Sequence, residues 1–175
     1  MDGLREPVTA TDISTQRLEL LPLQVKFADE MAAVFGDPAL HTFIGGAPLP
    51  ARELRERYGR LVAGSPDPAV SWCNWVLRIR DEECLAGTVQ ATVGPGDDGL
   101  EAEIAWVVGV PWQGRGLATE AALALVDRLG RQSVRTVVAH IHPDHAASAA
   151  VATACGLTPT DRMHDGEVRW RRTLG

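Results

Sequence analysis

The segment AEIAWVVGVPWQGRGLATEAALALVDRLG, residues 102–130, decides how this chain is read. It begins as an apolar strand, passes through a loop with glycines at 114 and 116, and continues as a helix whose Leu117, Ala121, Leu125 and Leu129 share one stripe. Where a strand ends in a glycine loop that opens directly into a helix, backbone N–H groups point outward without partners and the helix dipole adds positive potential. That arrangement seats a phosphate or pyrophosphate. Gly114 and Gly116 permit unusual backbone angles and close approach of an anion, while Gln113 and Arg115 offer side-chain donors. A Walker loop is excluded, because no Gly-Lys-Ser/Thr follows and Lys26 is the only lysine. A dinucleotide fingerprint fits poorly, since Thr119 occupies its third glycine position and no acidic residue ends the next strand.

Working outward, RLELLPL (17–23) reads as a first strand, FADEMAAVFGD (27–37) and ARELRERYGRLVAG (51–64) as helices, and HTFIGGAPLP (41–50) as a loop between them. From residue 72 the period changes to that of strands: WCNWVLRIR, CLAGTVQATVG and LEAEIAWVVG form an antiparallel meander. After the helix at about 116–129 come the strand VRTVVAHIH, an alanine-rich helix closing at Cys155-Gly156, and a pair of strands around Asp165-Gly166. The expected organisation is a flexible lead-in over residues 1–13 and one domain over 14–175, of α/β (α+β) class.

The chain has 175 residues, of which 45% are hydrophobic, enough to fill one core. Its net charge of -6 excludes a general nucleic-acid binder, which needs a basic stripe, so any phosphate must be met locally. Cys73, Cys84 and Cys155 form neither a disulfide framework nor a metal-type spacing. The beginning MDGLREPVTATDIS is acidic and polar, and no apolar run reaches membrane-spanning length. A cytoplasmic protein without membrane or nucleic-acid partners is expected.

Gln113-Gly114-Arg115-Gly116-Leu117-Ala118 resembles the Q/R-x-x-G-x-G/A signature of the GCN5-related N-acetyltransferases (GNAT), and the strand, loop and helix around it are similar to the ribosomal-protein-acetylating (Rim-type) branch. HIHPDHAASAAVATACGL (140–157) resembles that branch's DPDN-x-x-S entry into the following helix, and the likeness extends over roughly residues 14–174. His145 stands where relatives usually have Asn, Leu157 where they have Phe or Tyr, and Ala152 where many place a tyrosine acid. The resemblance implies a mostly antiparallel, twisted mixed sheet with helices on both faces. It implies acetyl-CoA as co-substrate, no metal, and a primary amine of a protein N-terminus or a small molecule as acceptor. A homodimer is also implied. Cofactor contacts would come from Val107, Val108, Gln113, Gly114, Arg115, Gly116, Leu117, Ala118, Thr119 and His145. Ser148 matches the serine proposed as general acid in that branch, though a serine near a helix start also serves as a local backbone partner.

Acetyl transfer to an amine needs a neutral amine, a polarised thioester carbonyl and a proton for the leaving thiolate. In LEAEIAWVV, Glu103 falls among small and apolar neighbours, a setting that raises a carboxylate's pKa and suits a base; Glu101, two residues away on the same face, is the alternative. Phe43, Tyr58, Trp72, Trp75 and Trp106 are candidate walls of the acceptor pocket, each equally able to be core. Two other readings stand beside this one. An acyl-CoA-binding sensor would need no acid. HIHPDH (140–145) also fits H-x-H-x-D-H, a metal-hydrolase motif, although the chain after it is too short to complete that fold.

Replacing Gly116 with Val should sharply weaken acetyl-CoA binding measured by calorimetry in EDTA, because a β-branched side chain obstructs the anion seat. Normal binding by this variant, or loss of wild-type binding with chelator, would contradict the seat.

Overall fold

The computed structural model describes residues 7–175. In chain order these form β1 (Ile13–Ser14), β2 (Leu18–Pro22), α1 (Ala28–Val34), α2 (His41–Ile44), α3 (Ala51–Ala63), β3 (Ser71–Ile79), β4 (Cys84–Gly96), β5 (Gly99–Val108), α4 (Leu117–Arg131), β6 (Val134–Ile141), α5 (Ala146–Ala154), β7 (Thr158–His164) and β8 (Glu167–Thr173). The strands make one eight-stranded sheet in the order β1-β2-β3-β4-β5-β6-β8-β7. Every neighbouring pair is antiparallel except β5 and β6.

Alternation along the strands builds two cores. Leu18, Leu20, Trp75, Leu77, Val89, Ala102 and Ile104 turn to one face, where the α4 stripe of Leu117, Ala121, Leu125 and Leu129 meets them, all buried. Its several alanines bring α4 close to the sheet. On the other face Leu23, Met31, Val34, Leu54, Tyr58, Val76 and Leu85 pack α1 and α3 over the β2–β4 side. That second cover is partial. The polar residues Asn74, Thr88, Gln90 and Glu103, which alternate with buried apolar ones, line a cleft there.

Two sequence expectations change. The stretch 41–50 contains α2, entered through a 3-10 turn at Pro38–Leu40 that Asp37 caps by accepting the Ala39 N–H at 2.9 Å. The lead-in expected to be loose lies outside the described residues as far as residue 6, but is held beyond it: the Val8 carbonyl accepts the Cys73 thiol, and the Thr11 carbonyl accepts the Trp75 indole N–H at 2.8 Å. Ile13 is buried in the core, so the packing of this segment against β3 replaces mobility with contact.

β5 and β6 pair only through Leu100–Val134, Glu101–Thr136, Ala102–Val137 and Glu103–Val138. Beyond that point β5 continues with β4 as far as Val108–Gly87, and β6 continues with β8 through Ile141–Val168. The two strands therefore part, and a gap opens through the sheet between Ile104–Val108 and Ala139–Ile141.

Candidate active site

The glycine loop lies at the α4 end of this gap. Gly114 and Gly116 both have φ of +76°, a left-handed conformation that costs glycine little and other residues much. Among the described residues, the N–H groups of Gly114 through Thr119 have no acceptor; pairing resumes with the Glu120 N–H, which donates to the Gly116 carbonyl. These consecutive free donors at the start of a fifteen-residue helix are fitted to an anion.

The loop is held by residues the sequence reading missed. Glu120, in the first turn of α4, accepts hydrogen bonds from the Thr15 hydroxyl at 2.6 Å, the Arg17 backbone N–H at 2.9 Å and the Arg17 guanidinium at 2.8 Å. Arg17 also donates to the Arg115 carbonyl at 2.7 Å. The knot thus ties the turn before β2 to both the loop and the helix. Burial alone would raise the Glu120 carboxyl, but the bonds from Thr15 and Arg17 outweigh it and hold the group below its ordinary range. An acidic residue in a first helical turn is legible in sequence; its partner across the fold is not.

Three expected loop contacts take other roles. Gln113 donates its side-chain amide to the Val108 carbonyl at 2.9 Å, latching the loop to the end of β5. The Arg115 guanidinium pairs with Glu82 in the β3–β4 turn at 2.8 Å, and this partner holds the Glu82 carboxyl below its ordinary range. Leu117 turns its side chain into the core, so only its backbone faces the loop. Ala118 is half-buried against the same core, and Thr119 is half-buried in the first turn of α4.

A cleft of about 570 Å³ runs through the gap. Glu103, His140, Ser148, His145, Phe43, Trp106 and Val107 all line it. Glu103 does not have the apolar setting expected from strand alternation. Its side chain is 54% exposed and accepts a hydrogen bond from His140 Nδ1 at 2.9 Å. Glu101 is committed elsewhere, to Arg169 at 3.2 Å. Ser148 lies 3.4 Å from His145 Nε2, and His145 stacks on Phe43 with ring centroids 4.4 Å apart. Burial, reinforced by nearby His142, pushes the His145 imidazole below its ordinary value.

The aromatic candidates separate. Tyr58 lines the cleft from α3 and burial pushes its hydroxyl up to about 12, against the opposing pull of Arg57. Trp75 is a core residue, 1% exposed on the α4 side, and is also among the residues that line the cleft. Trp72 stands outside this cleft, in a depression beside residues 7–10. Trp106 shares its sheet face with Val89 and packs on the α4-side core, so it meets the cleft from the opposite face to Glu103. Ala152 and Leu157 are both buried in the core.

The metal-type motif is dispersed. His140 Nδ1 is engaged by Glu103, and His142 Nδ1 accepts the Asp144 N–H at 3.0 Å. Among the described residues no group of three or more His, Cys, Asp or Glu side chains is arranged to hold a metal ion. No helix among them is long and apolar enough to cross a membrane.

A family model described as the acetyltransferase (GNAT) domain matches residues 17–158. The chain belongs to this family, and is an acetyl-CoA-dependent N-acetyltransferase. Membership overturns the hydrolase reading of HIHPDH. No curated protein matches the sequence significantly. Among solved structures, a GNAT-family acetyltransferase from Bacillus anthracis is similar with a TM-score of 0.77 at 17% identity, over 93% of this chain and 98% of that one. RimL, a ribosomal L7/L12 alpha-N-protein acetyltransferase in complex with coenzyme A, is similar at 0.76 and 17% identity, over 94% and 98%. The microcin C7 self-immunity acetyltransferase MccE, in complex with acetyl-CoA and AMP, is similar at 0.70 and 16% identity, over 91% and 94%. These likenesses establish the fold.

Glu120→Gln should lower stability at pH 7 by about 1–2 kcal/mol, since the charge-assisted bonds are lost but Arg17 stays half-exposed and screened. Because the folded-state carboxyl titrates low, its contribution is complete above the unfolded value near pH 4.3 and disappears as pH falls through the folded value. Denaturant melts of both chains should therefore converge on acidification; a constant difference down to pH 2 would contradict this role.

Proposed function

We propose that the chain N-acetylates a primary amine, of a protein N-terminus or a small molecule, bound in the cleft between α3 and β5. The acetyl donor would approach through the gap between β5 and β6 from the α4 side. The observation that carries the reading is that one continuous cleft joins Glu103 and Tyr58 on one face of the sheet to Trp106 and Ser148 beyond the gap. When bound, acetyl-CoA supplies an activated acetyl thioester. The chain's own residues do the rest.

The free N–H groups from Gly114 to Thr119 would hold the pyrophosphate, with Arg115 adding its charge after leaving Glu82 or alongside it. A backbone N–H near Val107 or Val108, beyond the last pairing of β5 with β6, would polarise the acetyl carbonyl. Glu103, which lines the cleft, would stand near the proton leaving the acceptor ammonium, and Ser148, 3.4 Å from His145 Nε2, would return a proton to the departing sulfur. The acceptor meets a floor of Asn74, Thr88 and Gln90 beneath apolar Leu54 and Leu61, a surface for an amine with both polar and apolar flanks. Two structural neighbours are described as a ribosomal L7/L12 alpha-N-protein acetyltransferase and a microcin C7 self-immunity acetyltransferase, which supports keeping both a protein N-terminus and a small molecule as acceptor. The net charge of -6 favours cationic acceptors of either kind.

A turnover assay in EDTA, following thiol release with a peptide bearing a free N-terminus, spermidine and an amino-sugar antibiotic, tests the proposal. Thiol release with at least one amine, matched by acetylated product, is expected. Tight acetyl-CoA binding with no thiol released by any amine would contradict it.

A further inference from the structure

Resting on the amine-acetylation reading, we infer that the proton acceptor of the reaction is His140 Nε2, with Glu103 as the residue that positions it. His140 lies two residues beyond Val138, the last β6 residue paired to β5, and Val138 faces Glu103 across that pair. Strand alternation therefore puts His140 and Glu103 on the same face, where the two strands begin to part. The imidazole is mostly enclosed, with 12% of its side-chain surface exposed, whereas the Glu103 side chain is 54% exposed. A carboxylate only accepts, so the 2.9 Å contact requires the hydrogen on His140 Nδ1 and leaves Nε2 as the lone-pair nitrogen. Nε2 has no partner among the described residues, yet it is not a sealed, orphaned atom. It keeps some exposure to solvent, and His140 lines the cleft.

The surrounding charges are already engaged or lie across the cleft. Arg169, the cross-strand neighbour of His140 on β8, is paired with Glu101 at 3.2 Å. The His164 ring on β7 tilts against His140 at 5.0 Å, Glu167 on β8 and His142 at the end of β6 line the same cleft, and Arg57 faces it from α3. Glu103 is the carboxylate that contacts the ring. It stabilises the imidazolium that forms and fixes which nitrogen takes the proton.

The step balances within the established chemistry. Nε2 takes one proton from the acceptor ammonium. The freed nitrogen lone pair bonds to the acetyl carbonyl carbon, the carbon–sulfur bond breaks with its electron pair going to sulfur, and the second proton lost by nitrogen goes to that sulfur. His140 then returns its proton to solvent.

Glu103→Gln keeps an oxygen that accepts the Nδ1–H bond, so it should reduce kcat only about tenfold and retain the ascending limb of the kcat/KM profile. His140→Asn removes Nε2 and should reduce kcat by about 10²–10⁴-fold and abolish that limb, leaving the KM for acetyl-CoA unchanged. Both are measured with whichever of the three amines above turns over fastest. In the wild-type chain, ¹⁵N imidazole shifts should report the Nδ1–H tautomer for His140, a readout that does not depend on any variant folding. Near-normal turnover by His140→Asn with collapse of Glu103→Gln, or an Nε2–H tautomer, would overturn the assignment while leaving amine acetylation intact. A wild-type chain that acetylates no amine would overturn both.

Discussion

Beyond the Glu103–Val138 pair, β5 and β6 cease to share a hydrogen-bond ladder, and each follows its other neighbour. A parallel pair inside an otherwise antiparallel sheet is the place where this can happen at low cost, because both strands stay paired on their outer sides. The gap lets groups from both sheet faces line one cleft. Without it, Ser148 and Trp106 would be separated from Glu103 and His140 by a closed layer of backbone. The arrangement of the helices follows from the same opening: α4 begins beside the gap on one face, and on the other α3 walls the cleft without closing it.

The glycine loop was readable in the sequence because its logic is local. Strand, glycines and helix are contiguous, and the α4 stripe needed only a period of 3.6 residues to be placed on the core. The strands of the meander, the terminal hairpin at Asp165-Gly166 and the two-sided helix layers were legible for the same reason. The GNAT family was legible from those same residues, and the family match over residues 17–158 agrees.

What could not be read was pairing across distance. Arg17 and Glu120 are separated by 103 residues, Arg115 and Glu82 by 33, and His140 and Glu103 by 37, and no local pattern joins any of them. Arg115 is expected at the ligand from its place in the loop, and the fold also pairs it with Glu82. The alternation in β5 placed Glu103 on the correct face but not its surroundings, because those are set by where α3 ends and where β6 turns away. The polar face of β4, with Thr88 and Gln90 alternating with Val89 and Ala91, did carry a signal: such residues on a sheet face mark a wetted cleft rather than core.

The central claim is that the partnerless N–H groups of the glycine loop seat the donor's phosphates while the parted strands receive the rest of it. Backbone amide chemical shifts of the ¹⁵N-labelled chain titrated with acetyl-CoA test this most directly. The largest shifts should fall on Gly114 through Thr119, with a second group on Ala105 to Val108 along the open edge of β5. Shifts concentrated on residues 140–145, or on the depression beside Trp72, with the loop amides unmoved, would contradict it.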